Sequence, residues 1–184
     1  FNIGLIGFGT VVVGVARVLK EKSAQLERKA GVRLVLKVVC DKEFRRKRNI
    51  KLDKKLLTRD VNKILGNPDI DVVVELMGGI HPAKEFILKA IKSGQHVVTA
   101  NKALLAKDGE EIFRAAQRAK VEIFFEASVG GGIPIIKSLR EGLASNDIDT
   151  ILGIVNGTSN YILSAMEAEG ISFHDALSEA KKKG

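Results

Sequence analysis

Two charged residues follow apolar stretches that are predicted to be strands, and both are placed where chemistry is possible. Lys102 comes after the stretch His96–Thr99, and Asp41 comes after residues 33–40. In an open α/β sheet, ligands bind beyond the carboxyl ends of the strands. A lysine there can hold an oxygen atom of a substrate or cofactor, and a carboxylate can accept the ribose hydroxyls of a dinucleotide. The alternative for Lys102 is an ordinary solvated side chain, which is what most lysines are.

A pair of glycines provides a second possible site, for phosphate. Gly7 and Gly9 lie between an apolar strand, residues 2–6, and a helical pattern that begins near Thr10. This is the first half of a dinucleotide fingerprint: Gly7 permits a tight turn, Gly9 lets the backbone approach a pyrophosphate, and the helix N-terminus supplies N–H donors. A plain strand-to-helix turn is the alternative. The residues predicted to bind the cofactor here are Gly7, Phe8, Gly9, Thr10 and Val11.

The third glycine of the fingerprint is absent. Val12 stands at its position, and Gly14 comes two residues late. Because that glycine normally allows the helix to pack closely on the strand, we expect the Val12 side chain to displace the helix or to crowd the phosphates. The sequence therefore predicts weaker cofactor binding than the full pattern would give.

The choice between NAD and NADP is left open by two conflicting signals. Asp41 is a candidate acceptor for the ribose hydroxyls of NAD, although it lies further from the glycines than the usual spacing of about 20 residues. Arg45, Arg46 and Arg48 follow it closely, and guanidinium groups suit the 2′-phosphate of NADP. A solvated basic loop explains these arginines equally well. Arg45 is nevertheless a candidate cofactor contact.

Composition and charge restrict the class of protein. The 184 residues are 45% hydrophobic and 28% charged, with a net charge of +8 at pH 7. Basic residues cluster between Lys42 and Lys55, yet only Phe44 offers an aromatic ring there and Trp is absent, so nucleic acid is not the expected partner. The sequence has no run of the roughly 18 apolar residues that predicts a membrane span. The single Cys40 fits a reducing, cytoplasmic setting.

The elements that must position these residues alternate between strand and helix patterns, which indicates parallel βαβ units. We therefore predict a doubly wound, parallel, Rossmann-type α/β domain over residues 1–127. Met77 and Gly78, in the turn after the third strand, should flank the cofactor together with Lys102. Strands are predicted at residues 2–6, 33–40, 71–76, 96–99 and 122–126, and helices at residues 10–28, 60–65, 82–93 and 109–119.

After Glu126 the pattern changes, and residues 128–184 are interpreted as the beginning of a second α+β domain. A strand is predicted over residues 150–155, and helices over residues 134–143, over residues 159–169 and after Ser172, which is predicted to cap the last helix. Glu126 itself precedes a glycine-rich segment whose carbonyl oxygens, with the carboxylate, suit a hard monovalent cation. The alternative is that the glycines form a hinge and that Glu126 caps the helix opened by Pro134.

Four segments, in this order, resemble homoserine dehydrogenase. They are GLIGFGT at residues 4–10, VVTANKALLA at 97–106, EASVGGGIP at 126–134 and NGTSNYIL at 156–163. The resemblance implies an NAD- or NADP-dependent oxidoreductase that interconverts L-homoserine and L-aspartate 4-semialdehyde, in the biosynthesis of threonine, methionine and isoleucine. It also implies a small-molecule substrate, a homodimer, and a second domain that serves substrate binding and dimerisation.

The resemblance further assigns roles to individual residues. A lysine in this family contacts cofactor and substrate, which makes Lys102 the candidate catalytic residue, and Thr99 is carried over as a cofactor contact. For the turn at Asn156 the residues alone predict only a helix N-cap. The resemblance implies a structural Na⁺ held by Glu126 and the carbonyl oxygens of Val129, Gly131 and Ile133, and a substrate-facing turn formed by Asn156, Gly157 and Thr158.

The family's proton-handling lysine and acidic residue are expected to follow Gly184. Residues 1–184 alone are therefore expected to be poor catalysts. A dinucleotide-binding module without turnover is the alternative interpretation.

Overall fold

The structure is a computed structural model that describes residues 1–44 and 49–183. It contains two compact units, Phe1–Lys137 and Ser138–Gly184. The first unit holds the whole sheet and the predicted dinucleotide site. In the second unit the regular elements of the described residues are all helices, and residues 143–156 contain none. The division into domains at residues 127 and 128, made from the sequence, stays a prediction.

The first unit is built on a six-stranded parallel sheet with the order β3-β2-β1-β4-β5-β6. This order reverses between β1 and β4, as in a doubly wound dinucleotide-binding fold, so the predicted Rossmann-type architecture is confirmed. The two-residue edge strand β3 was not predicted. The strands are β1 (Asn2–Ile6), β2 (Val35–Cys40), β3 (Leu57–Thr58), β4 (Val72–Glu75), β5 (His96–Thr99) and β6 (Ile123–Phe124).

Helices cover both faces of this sheet, because alternate residues of each strand point to opposite sides. Val74 belongs to the core beneath α1 (Thr10–Glu21), together with Val12 and Ala16 of that helix. Its neighbour Val73 belongs to the opposite core, beneath α3 (Ala83–Lys92) and α4 (Lys102–Ala119). The strands are therefore mostly apolar, as expected for a parallel sheet that is buried on both sides.

Three helix predictions differ from the structure in extent. The helix predicted over residues 10–28 is broken at Lys22 into α1 and α2 (Ser23–Ala30). The helix predicted from residue 109 begins at Lys102, because the Asn101 side chain accepts a hydrogen bond from the Leu104 N–H and caps it. Residues 60–65 form only a short 3₁₀ turn, Val61–Lys63.

The second unit contains two packed helices, α6 (Gly157–Glu169) and α7 (Phe173–Lys183). Their contact is apolar, with Ile162 and Ala176 buried between them. A short helix, α5 (Ile135–Lys137), ends the first unit, and a π-helical segment, Ser138–Gly142, begins the second.

The strand predicted over residues 150–155 is wrong for this structure. No described residue forms a ladder with it, and Leu152 is 90% exposed. A strand needs a partner for its backbone hydrogen bonds, so an apolar sequence pattern alone does not produce one. No helix within residues 1–44 and 49–183 is long and apolar enough to cross a membrane.

Candidate functional site

A cavity of about 380 Å³ opens at the carboxyl ends of β4 and β5. Two loops form its walls, one following each strand, and Val11 of α1 closes one side. This edge of the sheet, beside β1 where the strand order reverses, is the ligand-binding position of an open α/β fold. The cavity is lined by Val11, Leu76, Met77, Gly78, Gly79, Ala100, Asn101, Lys102 and Ala103, which include four of the predicted cofactor-binding residues.

The glycine turn after β1 has the geometry that a phosphate-binding turn requires. Gly7 has a φ of +97°, and its N–H donates to the Cys40 carbonyl at 2.8 Å, which ties the turn to the end of β2. Gly9 precedes α1, has no side-chain cap, and a Cβ added there would meet no atom within 4 Å. The space beside Gly9 is therefore open. Because the first N–H groups of an α-helix have no acceptor within the helix, an anion is favoured at this end of α1.

Val12 does not crowd this turn, which corrects one part of the sequence-based expectation, whereas a displaced helix and weaker cofactor binding stay predictions. Its side chain is fully buried and packs beneath α1 with Leu5, Val39 and Val74. The missing third glycine is thus replaced by a core residue that faces the sheet and not the space beside Gly9. Gly14 lies on the exposed side of the helix and has nothing within 4 Å.

The other residues of the turn divide into a buried and an exposed group. Phe8 is buried, and its ring packs against Phe44 with a centroid distance of 5.9 Å, so its side chain supports the turn from below. Thr10 and Val11 are exposed at the start of α1, and Val11 lines the cavity. Contact with a cofactor at Phe8 would therefore have to use its backbone.

Asp41 lies at the end of β2, directly beside the glycine turn, because Ile6 and Cys40 are paired in register. Its Oδ1 accepts a hydrogen bond from the Glu43 N–H at 2.7 Å, and its own N–H donates to Thr58. The pairing of β1 with β2 therefore brings Asp41 next to the glycine turn, although the two lie far apart in the sequence. Arg45, the second candidate for this part of the site, lies outside the described residues, as do Arg46 and Arg48.

A fully buried carboxylate beneath the cavity was missed in the sequence. Glu75, the last residue of β4, accepts hydrogen bonds from the Met77 N–H at 2.7 Å and from the Thr99 hydroxyl at 2.9 Å. A signal was present: a glutamate that ends an otherwise apolar strand in a parallel sheet has to be buried and therefore needs donors.

Thr99 lies inside the protein and not on the cavity wall. Its side chain is fully buried between Glu75 and the Asn101 N–H, and its carbonyl accepts from the Ser128 hydroxyl at 3.1 Å. A direct contact of the Thr99 side chain with a cofactor is not favoured by this placement. Its direct contribution is to hold the strand end in place.

Asn101 joins the two loops that wall the cavity. Its Nδ2 donates to the Gly79 carbonyl at 2.6 Å, while its Oδ1 caps α4. Gly78 and Gly79 both have positive φ, +76° and +75°, which lets the first loop turn sharply toward Asn101. The sequence motif contained Asn101, but its bond across the cavity was not foreseen.

Lys102 is the first residue of α4, lies exposed, and lines the cavity. It forms no ion pair with any residue in the described part of the chain, in contrast to Lys84, which pairs with Asp108 and Glu111. The helix dipole opposes a cation at a helix N-terminus. Local stability therefore does not account for a lysine here, whereas an oxygen-bearing ligand in the cavity would.

The Glu126 carboxylate caps α5, as the alternative interpretation predicted. Its two oxygens accept from the Ile136 and Lys137 N–H groups, both at 2.9 Å. Of the predicted Na⁺ ligands, Ile133 also accepts, through its carbonyl, from Ile135 at 2.8 Å. The donor set, with the carbonyls of Val129 and Gly131, is all oxygen and suits Na⁺ chemically, but the sodium site stays a prediction.

The predicted substrate residues belong to the second unit. Asn156 caps α6 by accepting from the Ser159 N–H at 2.9 Å, and Gly157 and Thr158 form the first turn of that helix. All three are exposed. The predicted N-cap is confirmed, and substrate contact stays a prediction.

Comparison with known proteins gives one consistent result. A family model described as "Homoserine dehydrogenase, NAD binding domain" matches residues 7–126, and one described as "Homoserine dehydrogenase" matches residues 134–184. A curated homoserine dehydrogenase of Neisseria gonorrhoeae is 49% identical over 183 residues, and the match covers 100% of this chain and 42% of that protein.

Solved structures are similar over the whole chain. A homoserine dehydrogenase from Thiobacillus denitrificans is 44% identical with a TM-score of 0.89, covering 100% of this chain and 42% of that one. A hyperthermophilic archaeal homoserine dehydrogenase in complex with NADPH is 30% identical with a TM-score of 0.82, and the match covers 61% of that chain. The chain therefore spans less than half the length of the bacterial relatives that it matches here.

Proposed function

The chain belongs to the homoserine dehydrogenase family, and from this we propose that it forms the dinucleotide-binding part of an oxidoreductase that interconverts L-homoserine and L-aspartate 4-semialdehyde. The observation that carries the proposal is the open phosphate-binding turn at Gly9 beside a cavity with an unpaired lysine, Lys102, among the described residues.

A nicotinamide dinucleotide fits the residues along this edge of the sheet. The free N–H groups at the start of α1 suit the pyrophosphate, and α1 has no acidic residue in its first turn to repel it. Asp41, at the neighbouring strand end, suits the adenosine ribose. The nicotinamide would then enter the cavity next to Met77, Gly78 and Lys102. The choice between NAD and NADP depends on Asp41 and on Arg45.

Lys102 is the proposed catalytic residue. When bound, the nicotinamide supplies or accepts the hydride at the substrate carbon. The Lys102 ammonium donates a hydrogen bond to the oxygen on that carbon and stabilises the negative charge that develops there during reduction of the aldehyde. The apolar wall formed by Val11 and Leu76 would exclude water and strengthen this interaction.

Other parts of the proposal rest on the family alone. The turn of Asn156, Gly157 and Thr158 would bind the amino-acid end of the substrate, and Glu126 with neighbouring carbonyls would hold Na⁺. The complete protein would act as a homodimer in threonine, methionine and isoleucine biosynthesis.

The test is a titration of the 184-residue chain with NADH and NADPH, followed by fluorescence, with an assay of homoserine-dependent reduction of NAD and NADP on the same sample. We expect saturable binding of at least one reduced cofactor. Binding without turnover would place the chain as a cofactor module, and the absence of saturable binding up to millimolar cofactor would contradict the proposal.

A further inference from the structure

Glu75 is a buried carboxylate whose presence is costly for the fold. Its side chain is fully buried, and no lysine, arginine or histidine within the described ranges forms an ion pair with it. Removing a carboxylate from water is expensive unless hydrogen bonds replace the lost hydration. An apolar residue of similar size would fill this place at the end of β4 without that cost, so packing alone does not explain a glutamate here.

The two oxygens of Glu75 connect the two walls of the cavity. Oε1 accepts from the Met77 N–H at 2.7 Å, in the loop that follows β4. Oε2 accepts from the Thr99 hydroxyl at 2.9 Å, at the end of β5. Glu75 and Thr99 are opposite each other in the register of these two strands. One carboxylate therefore fixes the starting point of both loops.

The connection continues outward to the residues that line the cavity. The Thr99 hydroxyl accepts from the Asn101 N–H at 3.0 Å, and Asn101 in turn donates to the Gly79 carbonyl at 2.6 Å. These bonds form a closed loop of contacts, from Glu75 through Met77 and Gly79 on one wall to Asn101 and Thr99 on the other. Lys102 follows Asn101 directly, so the position of Lys102 depends on the same hydrogen bonds.

We propose that Glu75 is a positioning residue for the dinucleotide site. By holding the Met77 N–H and the Thr99 hydroxyl at once, it sets the separation of the two loops between which the nicotinamide would enter. This inference rests on the proposed function, because it assumes that the cavity takes a dinucleotide. Glu75 touches no ligand itself, and its effect is transmitted through Met77, Thr99 and Asn101.

Three variants test the inference in the 184-residue chain, with NADH and NADPH as probes. Glu75→Gln keeps the shape of the side chain but turns one acceptor into a donor that faces Thr99. Thr99→Val removes the hydroxyl at constant volume, and Thr99→Ser restores it. Dissociation constants are measured beside the melting temperature of each variant.

A matched control lies at the other end of β5, just before its first residue. Gln95 is 3% exposed and holds the Gly66 N–H and the Ile64 and Ile70 carbonyls. Gln95→Glu is the reverse exchange of amide and carboxylate at an equally buried site. It should lower the melting temperature at least as much as Glu75→Gln and leave cofactor binding unchanged.

In Glu75→Gln and Thr99→Val we expect the dissociation constant of the bound cofactor to rise about tenfold, the size of effect that the loss of one interaction produces. Thr99→Ser should stay close to the original chain. Wild-type affinity in both Glu75→Gln and Thr99→Val, or an equal loss in Gln95→Glu, would overturn the inference. If Glu75→Gln does not fold, the comparison of Thr99→Val with Thr99→Ser decides alone. Failure of the unmutated chain to bind either probe would instead refute the proposed function.

Discussion

A Cβ placed on Gly7 would lie 3.1 Å from the carbonyl oxygen of Leu76. The two residues follow β1 and β4, which are neighbours in the sheet, and the Leu76 N–H donates to Ile6 at 3.1 Å. The φ of Gly7 is +97°, a region that disfavours any residue with a side chain. Glycine is thus required at this position by both backbone conformation and contact, whereas Gly9 faces open space.

Gly7→Ala should lower the free energy of unfolding by about 1–3 kcal/mol, because it combines backbone strain with a short contact. Gly9→Ala is the matched variant. Its φ of −77° tolerates alanine, so stability should stay close to that of the original chain, while cofactor binding weakens because the methyl group occupies the approach of the phosphates. Urea denaturation and NADPH titration of both variants measure these effects. Normal binding by Gly9→Ala would exclude the turn as a phosphate site.

Val12→Gly should destabilise the protein by about 3 kcal/mol, the sum of a core cavity and the low helix propensity of glycine. It should not tighten cofactor binding, since the Val12 side chain faces the core. Val18→Gly in the same helix, 42% exposed, controls for helix propensity and should cost only about 1 kcal/mol. Tighter binding by Val12→Gly at unchanged stability would restore the original expectation that this side chain crowds the phosphates.

Lys102→Ala should leave the melting temperature unchanged or slightly raised, because the residue is exposed and its charge opposes the helix dipole. In the complete enzyme the variant should lower kcat by about 100-fold or more, the usual effect of losing one donor to a developing oxyanion. Lys107→Ala, another exposed lysine of α4, is the control and should retain activity. A wild-type rate for Lys102→Ala would remove its assigned role.

The cluster of Lys84, Asp108 and Glu111 should make stability depend on pH at both extremes. Hydrogen bonds to Glu111 and Asp108 raise the pKa of Lys84 above its ordinary 10.5. The bond from Lys84 holds the pKa of Asp108 below its ordinary 3.8. The carboxylate's contribution is therefore present above pH 3.8 and is lost as pH falls through the lowered pKa, whereas the lysine's is present below pH 10.5 and is lost as pH rises through the raised pKa.

Lys84→Met should reduce both of these changes in the pH profile of the unfolding free energy. The residue joins α3 to α4 through ion pairs of 2.9 Å to Asp108 and 2.7 Å to Glu111. Lys92→Met in α3 is the control, since this exposed lysine forms no ion pair with the described residues. Identical acid and alkaline profiles for Lys84→Met and the original chain would refute the linkage.

Cys40 should react slowly with thiol reagents in the folded protein. Burial raises the pKa of its thiol above the ordinary 9.0, and the neighbouring charges of Asp41 and Asp60 raise it further. Since the thiolate is the reactive form, alkylation by iodoacetamide at pH 8 should be at least about tenfold slower in buffer than in 8 M urea. Equal rates under the two conditions would show that the end of β2 is open to solvent.

Most of the first unit could be predicted from the sequence because its signals are local. The strands Asn2–Ile6 and His96–Thr99 have the predicted bounds, since each is a short apolar run between turn-forming residues. The caps at Asn156 and Ser172 were also identified, because a helix N-cap depends on atoms within three residues of each other.

Predictions failed where the outcome depends on a distant partner. The backbone of residues 150–155 forms no strand because no described residue pairs with it, and the presence of a partner strand is not written in the local pattern. Val12 was judged by its place in a motif, yet its burial depends on how α1 lies over β1, β2 and β4. The direction of one side chain is set by the relative placement of several elements.

The sequence by itself determined the α/β class, the glycine turn and the family, because hydrophobic periodicity and turn chemistry act over a few residues. Only the tertiary structure decided which groups meet at the site. Glu75 and Thr99 are 24 residues apart in the chain and 2.9 Å apart in space, and Asn101 reaches Gly79 across 22 residues. Such bonds form because the parallel sheet aligns the carboxyl ends of its strands at one edge, and that alignment exists only once the strands have paired.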